Sequence, residues 1–262
     1  MSYLRPRDVS IEFPIYRGSS RSLKKTMLAA SSRGNLARDA SDRITVRALD
    51  GVTCDIEDGE RVGVVGANGA GKSTLLKMLA GIFEPVRGRL FSSGRVTALL
   101  DPSVGLDPNS TGRENILLRG MYLGVHPKQM RAHVDDVADF TEMALYLDMP
   151  VRTYSAGMMI RLSFAVSTCI STEILLMDEW LAAGDAHFLA KAHERMARYV
   201  GGSSILVLAS HSMPLLKSWC KRGILLEQGR IAAMGPIGEI VARYEEGQAS
   251  PDGVATAQAV AG

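Results

Sequence analysis

The sequence predicts an α/β fold: a mainly parallel sheet core with helices on both faces, an antiparallel β subdomain, and a helical subdomain inserted in the core. Three observations predict it. Apolar runs of strand length at residues 61–65, 173–177 and 204–210 read as strands buried on both faces. Helical stretches near 73–80, 111–171 and 185–199 alternate with those runs, the order that produces parallel strands joined by crossover helices. Period-two segments at 9–13, 46–50 and 52–56 precede the first buried run, as half-buried antiparallel strands would.

At 262 residues the chain has room for one large domain or two small ones. An apolar fraction of 46% with 22% charged residues is that of a globular protein able to bury a core. The net charge of +2 argues for neither nucleic acid nor an acidic partner, so no nucleic-acid partner is expected. The three cysteines, Cys54, Cys169 and Cys220, are scattered without metal-like spacing, which suits free thiols in a reducing compartment. No apolar signal core opens the chain, and no apolar run approaches the roughly 18 residues that span a bilayer. Any membrane span is expected on another chain.

Taken in order, the first strand at 9–13 leads into a basic stretch, Arg17 to Arg43, with Arg21, Lys24, Lys25, Arg33 and Arg38 between and only Asp39 and Asp42 opposing. Leu23, Met27 and Leu28 in it have the spacing of a short helical stripe. The stretch is either a solvated loop or a basic surface for anionic lipid head groups. Residues 46–50 and 52–56 read as a hairpin, with Asp58-Gly59 as a turn before the buried strand. Pro85-Val86-Arg87-Gly88 turns the chain, and 95–100 is another strand. Thr111-Gly112-Arg113-Glu114 has capping-box spacing, Pro127 opens a helix to about Met143, and a third helix starts after Ser155-Ala156-Gly157. Beyond the strands at 173–179 and 204–210, residues 224–227 and 230–234 form a hairpin about Gln228-Gly229, and 236–246 a short helix.

The chemistry centres on Gly66-Ala67-Asn68-Gly69-Ala70-Gly71-Lys72-Ser73-Thr74, a full match to the phosphate-loop pattern G-x-x-x-x-G-K-[ST] between a buried strand and a helix. The glycines let backbone N–H groups turn around phosphate oxygens, Lys72 reaches the β- and γ-phosphates, and Ser73 offers a hydroxyl to Mg²⁺. The helix N-terminus adds a positive dipole end. ATP and Mg²⁺ are therefore the expected cofactors. Asp178 ends an apolar strand, the place for a carboxylate that holds the metal, and Glu179 beside it is placed to polarise an attacking water. His211 follows a second apolar strand; with that strand beside the one before the loop, its imidazole comes near the γ-phosphate.

The order of these motifs resembles the nucleotide-binding subunits of ABC transporters over residues 4–246, with 247–262 expected as a disordered tail. Its most distinctive element is Tyr154-Ser155-Ala156-Gly157-Met158, which corresponds to the family signature Leu-Ser-Gly-Gly-Gln with Ser155 and Gly157 retained. The resemblance implies that Ser155 and Gly157 close on the nucleotide held by a second copy in a head-to-tail dimer. It makes Ala182-Ala183-Gly184-Asp185 a loop contacting across that dimer and His211 the switch histidine. The family's metal-ligating Gln falls where Asp101-Pro102 stands, so Asp101 is a candidate metal ligand, and the aromatic that stacks on adenine is Phe13 or Tyr16.

Tyr154 through Arg161-Leu162, Gly184-Asp185-Ala186-x-Phe188-x-x-Lys191 and Thr111 through Asn115 are similar to exporters of O-antigen, capsular polysaccharide and teichoic acid. That resemblance implies an ATPase subunit on the cytoplasmic face of the bacterial inner membrane, bound to two copies of a membrane-spanning permease and moving a lipid-linked glycan. Some O-antigen members carry a further glycan-binding β-sandwich, for which this sequence is expected to be too short. The alternatives are an ABC exporter of another cargo, a drug or lipid, or a non-transport ATPase of the family.

Overall fold

The computed structural model describes residues 1–14, 36–38, 44–101, 103–178 and 186–249. In chain order the strands are β1 (Tyr3–Pro14), β2 (Leu36–Arg38), β3 (Ile44–Val52), β4 (Ile56–Glu57), β5 (Arg61–Val65), β6 (Arg87–Ser93), β7 (Val96–Leu99), β8 (Ile174–Asp178), β9 (Ile205–Ala209), β10 (Arg222–Glu227) and β11 (Arg230–Pro236). The helices are α1 (Lys72–Leu79), α2 (Gly112–Tyr122), α3 (Pro127–Arg131), α4 (Val134–Thr141), α5 (Ala156–Thr168), α6 (Ala186–Gly202), α7 (Met213–Trp219) and α8 (Ile237–Ala249). Contacts divide the chain into two units, Met1–Gly94 with Ile205–Gly262, and Arg95–Ser204.

The first unit holds an antiparallel sheet built on β1. β3 lies along the second half of β1, from Val9 opposite Val52 to Pro14 opposite Thr45, and β4 lies along its start, with Leu4 opposite Ile56. The hairpin expected from residues 46–50 and 52–56 is therefore corrected: both segments pair with β1 and not with each other. The alternation continues through Val52, Cys54 and Ile56 without a reversing turn, and only a kink at Asp8 (φ +51°) and Gly51 (φ +66°) separates the two pairings. Arg7 bridges the gap, its guanidinium donating to the Cys54 carbonyl. The Asp58-Gly59 turn leads from β4 into β5. β6 runs along the other edge of β1, so the chain expected to turn at Pro85–Gly88 instead enters a strand at Arg87. β2 pairs with β3, which makes part of the basic stretch a strand. Tyr16 and the stretch's other basic residues lie outside the described residues.

Behind this sheet β5 sits between two parallel neighbours, β9 and β10, with β11 antiparallel on the outer edge of β10. All five residues of β9 are buried, as are four of the five in β5, so these runs carry no alternation. α1 covers β9 with Leu75, Leu76, Met78 and Leu79 buried. The 224–234 hairpin forms as expected, and α8 continues through Gly247 to Ala249, three residues into the expected tail.

In the second unit β7 and β8 pair in parallel. α2 begins at the expected capping box: Thr111 accepts from the Glu114 amide, and Glu114 returns the bond to the Thr111 amide at 2.7 Å. The single helix expected from Pro127 to Met143 is two, α3 and α4, broken at Ala132 and His133. Asp135 and Asp136 explain the restart, because carboxylates favour a helix's first turn. Ile116 of α2, Met130 of α3, Val137 of α4, Leu147 of the following connection, and Leu162 and Val166 of α5 share one core.

Candidate nucleotide-binding site

In the first unit the loop 66–71 joins β5 to α1, and three elements fix its path. The Gly229 amide in the β10–β11 turn donates to the Ala70 carbonyl at 2.9 Å, and the Asp50 amide at the end of β3 donates to the Gly229 carbonyl at 2.9 Å. Gly71 caps α1 at φ +106°, where a Cβ would sit 2.7 Å from the Ala48 carbonyl oxygen. A Cβ on Gly66 would overlap the Leu226 carbonyl. These two positions must be glycine for the loop to pack as closely as it does against β3 and β10.

Lys72 is 8% exposed, and its Nζ donates to the Gly66 carbonyl at 2.7 Å and the Ala67 carbonyl at 3.1 Å, so the ammonium is held over the loop's own backbone. Ala67, Asn68, Gly69 and Ser73 are exposed, Ala70 is buried and Thr74 half-buried. The first intrahelical bond runs from the Leu75 amide to the Gly71 carbonyl, 2.8 Å. The amides of Ser73 and Thr74 belong to the first turn, which has no intrahelical acceptors, and point out of the helix end. A buried lysine and first-turn amides at a glycine-rich turn suit a phosphorylated ligand.

His211 follows β9, the parallel neighbour of β5. Val64 of β5 is level with Ala209 of β9, and two more residues along each chain bring Gly66 and His211 to the same end of the parallel pair. The imidazole is exposed, and the turn beneath it is held by the Ser212 amide donating to Ser210 Oγ at 3.0 Å before Ser212 caps α7. Phe13, 38% exposed, meets Phe83 edge-on at 5.2 Å, and Lys77 Nζ lies 5.6 Å over the Phe83 ring. Phe13 therefore keeps part of its ring accessible while Phe83 holds it.

In the second unit Asp178 ends β8 and is half-buried, and Glu179 and residues 182–185 lie outside the described residues. Ser155 is the N-cap of α5, its Oγ accepting from the Met158 amide at 3.2 Å. A Cβ on Gly157 would meet nothing nearer than that Oγ, 3.9 Å away, so the surface over the helix start is open. Tyr154 anchors the approach by donating its hydroxyl to the Tyr146 carbonyl at 2.6 Å. Asp101 is exposed and folds onto its own turn, Oδ1 accepting from the Ser103 amide at 2.8 Å and from Ser103 Oγ at 2.7 Å.

Sequence reasoning missed two buried polar anchors here. Asn115 is fully buried and ties the 107–111 loop to α2, its Nδ2 donating to the carbonyls of Asp107, Ser110 and Thr111. Arg119, 2% exposed, donates to Ser167 Oγ at 3.1 Å and to the Val104 carbonyl, and burial pushes its guanidinium down to about 10. The only sequence signal for either was a polar residue on the inward face of an amphipathic helix.

Among the described residues no group of three or more His, Cys, Asp or Glu is placed to hold a metal. The donor types expected at Ser73 and at Asp178, a hydroxyl and a carboxylate, are those a hard cation such as Mg²⁺ takes beside phosphate and water oxygens.

The fold and this loop define a phosphate-loop nucleotide-binding protein of α/β class. The family model described as ABC transporter matches residues 49–182, and the chain belongs to that family as one of its ATPases. It is 39% identical over 231 residues to an O-antigen export system ATP-binding protein, RfbE, of Yersinia enterocolitica, covering 88% of this chain and 97% of that protein. It is 39% identical to the O-antigen export protein RfbB of Myxococcus xanthus over 88% of this chain and 52% of the relative. It is 37% identical to the teichoic acids export protein TagH of Lactococcus lactis over 76% of this chain and 42% of the relative. The chain thus spans about half the length of the last two. Among solved structures the dimeric ATP-binding cassette MJ0796, bound to ADP and Pi, superposes with a TM-score of 0.65 at 16% identity over 89% of this chain and 98% of that one.

Proposed function

We propose that this chain is the ATP-hydrolysing subunit of a bacterial exporter that moves a lipid-linked polysaccharide, of O-antigen, capsule or teichoic-acid type, across the cytoplasmic membrane. The observation that carries the cargo class is the 39% identity running along 97% of an O-antigen export protein. No helix among the described residues is long and apolar enough to cross a membrane. A permease partner, two copies for two copies of this chain, supplies the path and holds the ATPase to the cytoplasmic face.

In this reading Gly66, Asn68, Gly69, Ala70 and Gly71 wrap the phosphates, and Thr74 extends the first-turn amides. Lys72 leaves the loop carbonyls and pairs with phosphate oxygens, exchanging neutral acceptors for anionic ones. Ser73 and Asp178, with Asp101 the third candidate, would hold Mg²⁺, whose charge would offset that of the transferring phosphoryl group. Phe13 or Tyr16 stacks on the adenine. Glu179 orients and deprotonates the water, and His211 bonds the γ-phosphate. Ser155 and Gly157 of a second copy complete the site by offering a hydroxyl and first-turn amides to the same phosphate. One chain therefore binds ATP but needs its partner copy to hydrolyse it.

The test is ATPase activity of the chain co-reconstituted with its permease in proteoliposomes, with and without lipid-linked glycan. Stimulation by the glycan, and none by unrelated drugs or phospholipids, is the expected result. Stimulation by a drug or simple lipid alone would reassign the cargo.

A further inference from the structure

Three residues that mark the sequence subgroup, Arg161, Phe188 and Lys191, have no task in the nucleotide chemistry, yet in the second unit they meet. Arg161 lies on α5, less than two turns past Ser155, and its guanidinium carbon is 4.8 Å from the centre of the Phe188 ring. Phe188, 4% exposed, is in the first turn of α6, immediately after residues 179–185. Its ring also meets Phe140 edge-on at 5.5 Å and Phe164 at 6.1 Å, while Phe140 and Phe164 stack at 5.7 Å.

Phe188, Lys191 and Arg195 fall three and seven residues apart, on one face of α6. Lys191 bonds Glu142 at 2.6 Å and lies 5.5 Å over Phe140, and Arg195 lies 4.4 Å over the same Phe140 ring while pairing with Asp136 at 2.5 Å. Glu142 reaches this cluster because it closes α4 in a left-handed conformation, φ +59°. Its carboxyl is held below the usual range chiefly by the Lys191 hydrogen bond, with His187 and Arg161 adding. Aromatic rings with cations on their faces resist shear, because sliding either partner loses both the charge–quadrupole attraction and the packing.

We infer that Arg161 and Phe188, braced by Lys191 on Glu142, form a positioning clamp that makes the signature helix α5 and the first turn of α6 move as one body. This rests on the proposed two-copy site. There, Ser155 of a chain closes on the partner's nucleotide while Glu179 of the same chain acts on its own. A rigid link between the flanks of these two segments transmits closure at one nucleotide to the hydrolytic residue at the other, so the two ATP molecules are hydrolysed cooperatively.

The test compares wild type with Arg161→Met, Arg161→Lys and Phe188→Leu, each assembled with the permease, by steady-state ATPase against ATP concentration. Nucleotide affinity is measured separately without hydrolysis, and thermal unfolding is recorded for each. Arg161→Met and Phe188→Leu are expected to lower kcat about tenfold and bring the Hill coefficient to about 1, with nucleotide affinity changed less than about twofold. Arg161→Lys, which keeps the cation, is expected to restore kcat to within about threefold and the cooperativity with it. Unchanged kcat and Hill coefficient in Arg161→Met would overturn the clamp. So would a loss that follows thermal destabilisation and is not rescued by lysine, since that marks packing alone. Normal hydrolysis in Lys72→Ala would instead overturn the nucleotide-site reading, and the clamp with it.

Discussion

Lys72 is the residue on which the site turns, and its present bonds say how it acts. Its ammonium is already held over the loop by two carbonyls, so the ligand meets an ordered charge and not a wandering one. Lys72→Ala should weaken nucleotide binding by at least about tenfold, read by fluorescent-nucleotide titration, because charge-assisted bonds to phosphate are among the strongest. Gly71→Ala should fail in a different way. At φ +106° with a carbonyl 2.7 Å from the new Cβ, it strains the loop by about 1–3 kcal/mol and lowers both stability and affinity, seen as an earlier urea midpoint. Glu179→Gln should bind ATP normally and abolish turnover, trapping a dimer on gel filtration; near-normal turnover would remove Glu179 from the mechanism. At this scale the local pattern was highly legible. The loop, its lysine and the Ser155 cap all depend on neighbours in sequence. What holds the loop in place, Gly229 and the Ala48–Asp50 segment, comes from across the fold, and no local pattern announces it.

Elements were legible where they bury a regular face. The buried runs of β5, β8 and β9 and the capped starts of α2 and α5 stand where the residues put them, because apolar continuity and capping are local signals. β6 was not: its seven residues are almost all exposed, so no alternation marks it, and it is a strand only because β1 offers a free edge. α7, seven residues with Pro214 in its first turn, is too short for a period to show. The reading of β3 and β4 as a hairpin failed because alternation reports strands and not their partners. Thr111→Ala tests the element scale directly. Losing the capping box should cost about 1 kcal/mol in urea unfolding and leave nucleotide affinity unchanged. The thiols test packing. Burial pushes Cys54 up to about 11, and Cys169 and Cys220 up to about 12. A thiol whose folded pKa is raised keeps its proton when the unfolded chain has lost it. Its contribution to stability is therefore full below about pH 9 and lost as pH rises from there towards the folded values. Iodoacetamide at about pH 8 should label the native protein slowly and the urea-unfolded protein quickly.

For the whole molecule, the family membership and fold follow from motifs whose order and spacing the sequence carries in full. The cargo does not, since nothing in the nucleotide machinery touches a glycan. That part of the account rests on similarity along the chain, and it concerns an assembly of two ATPases and a permease. Its most direct measurement is ATP-driven movement of a labelled lipid-linked polysaccharide across vesicles holding that assembly, wild type beside Glu179→Gln. The account predicts transport with wild type, none with the variant, and ATP consumption that rises when the glycan is present. Equal transport by the variant, or hydrolysis indifferent to the glycan, would contradict it.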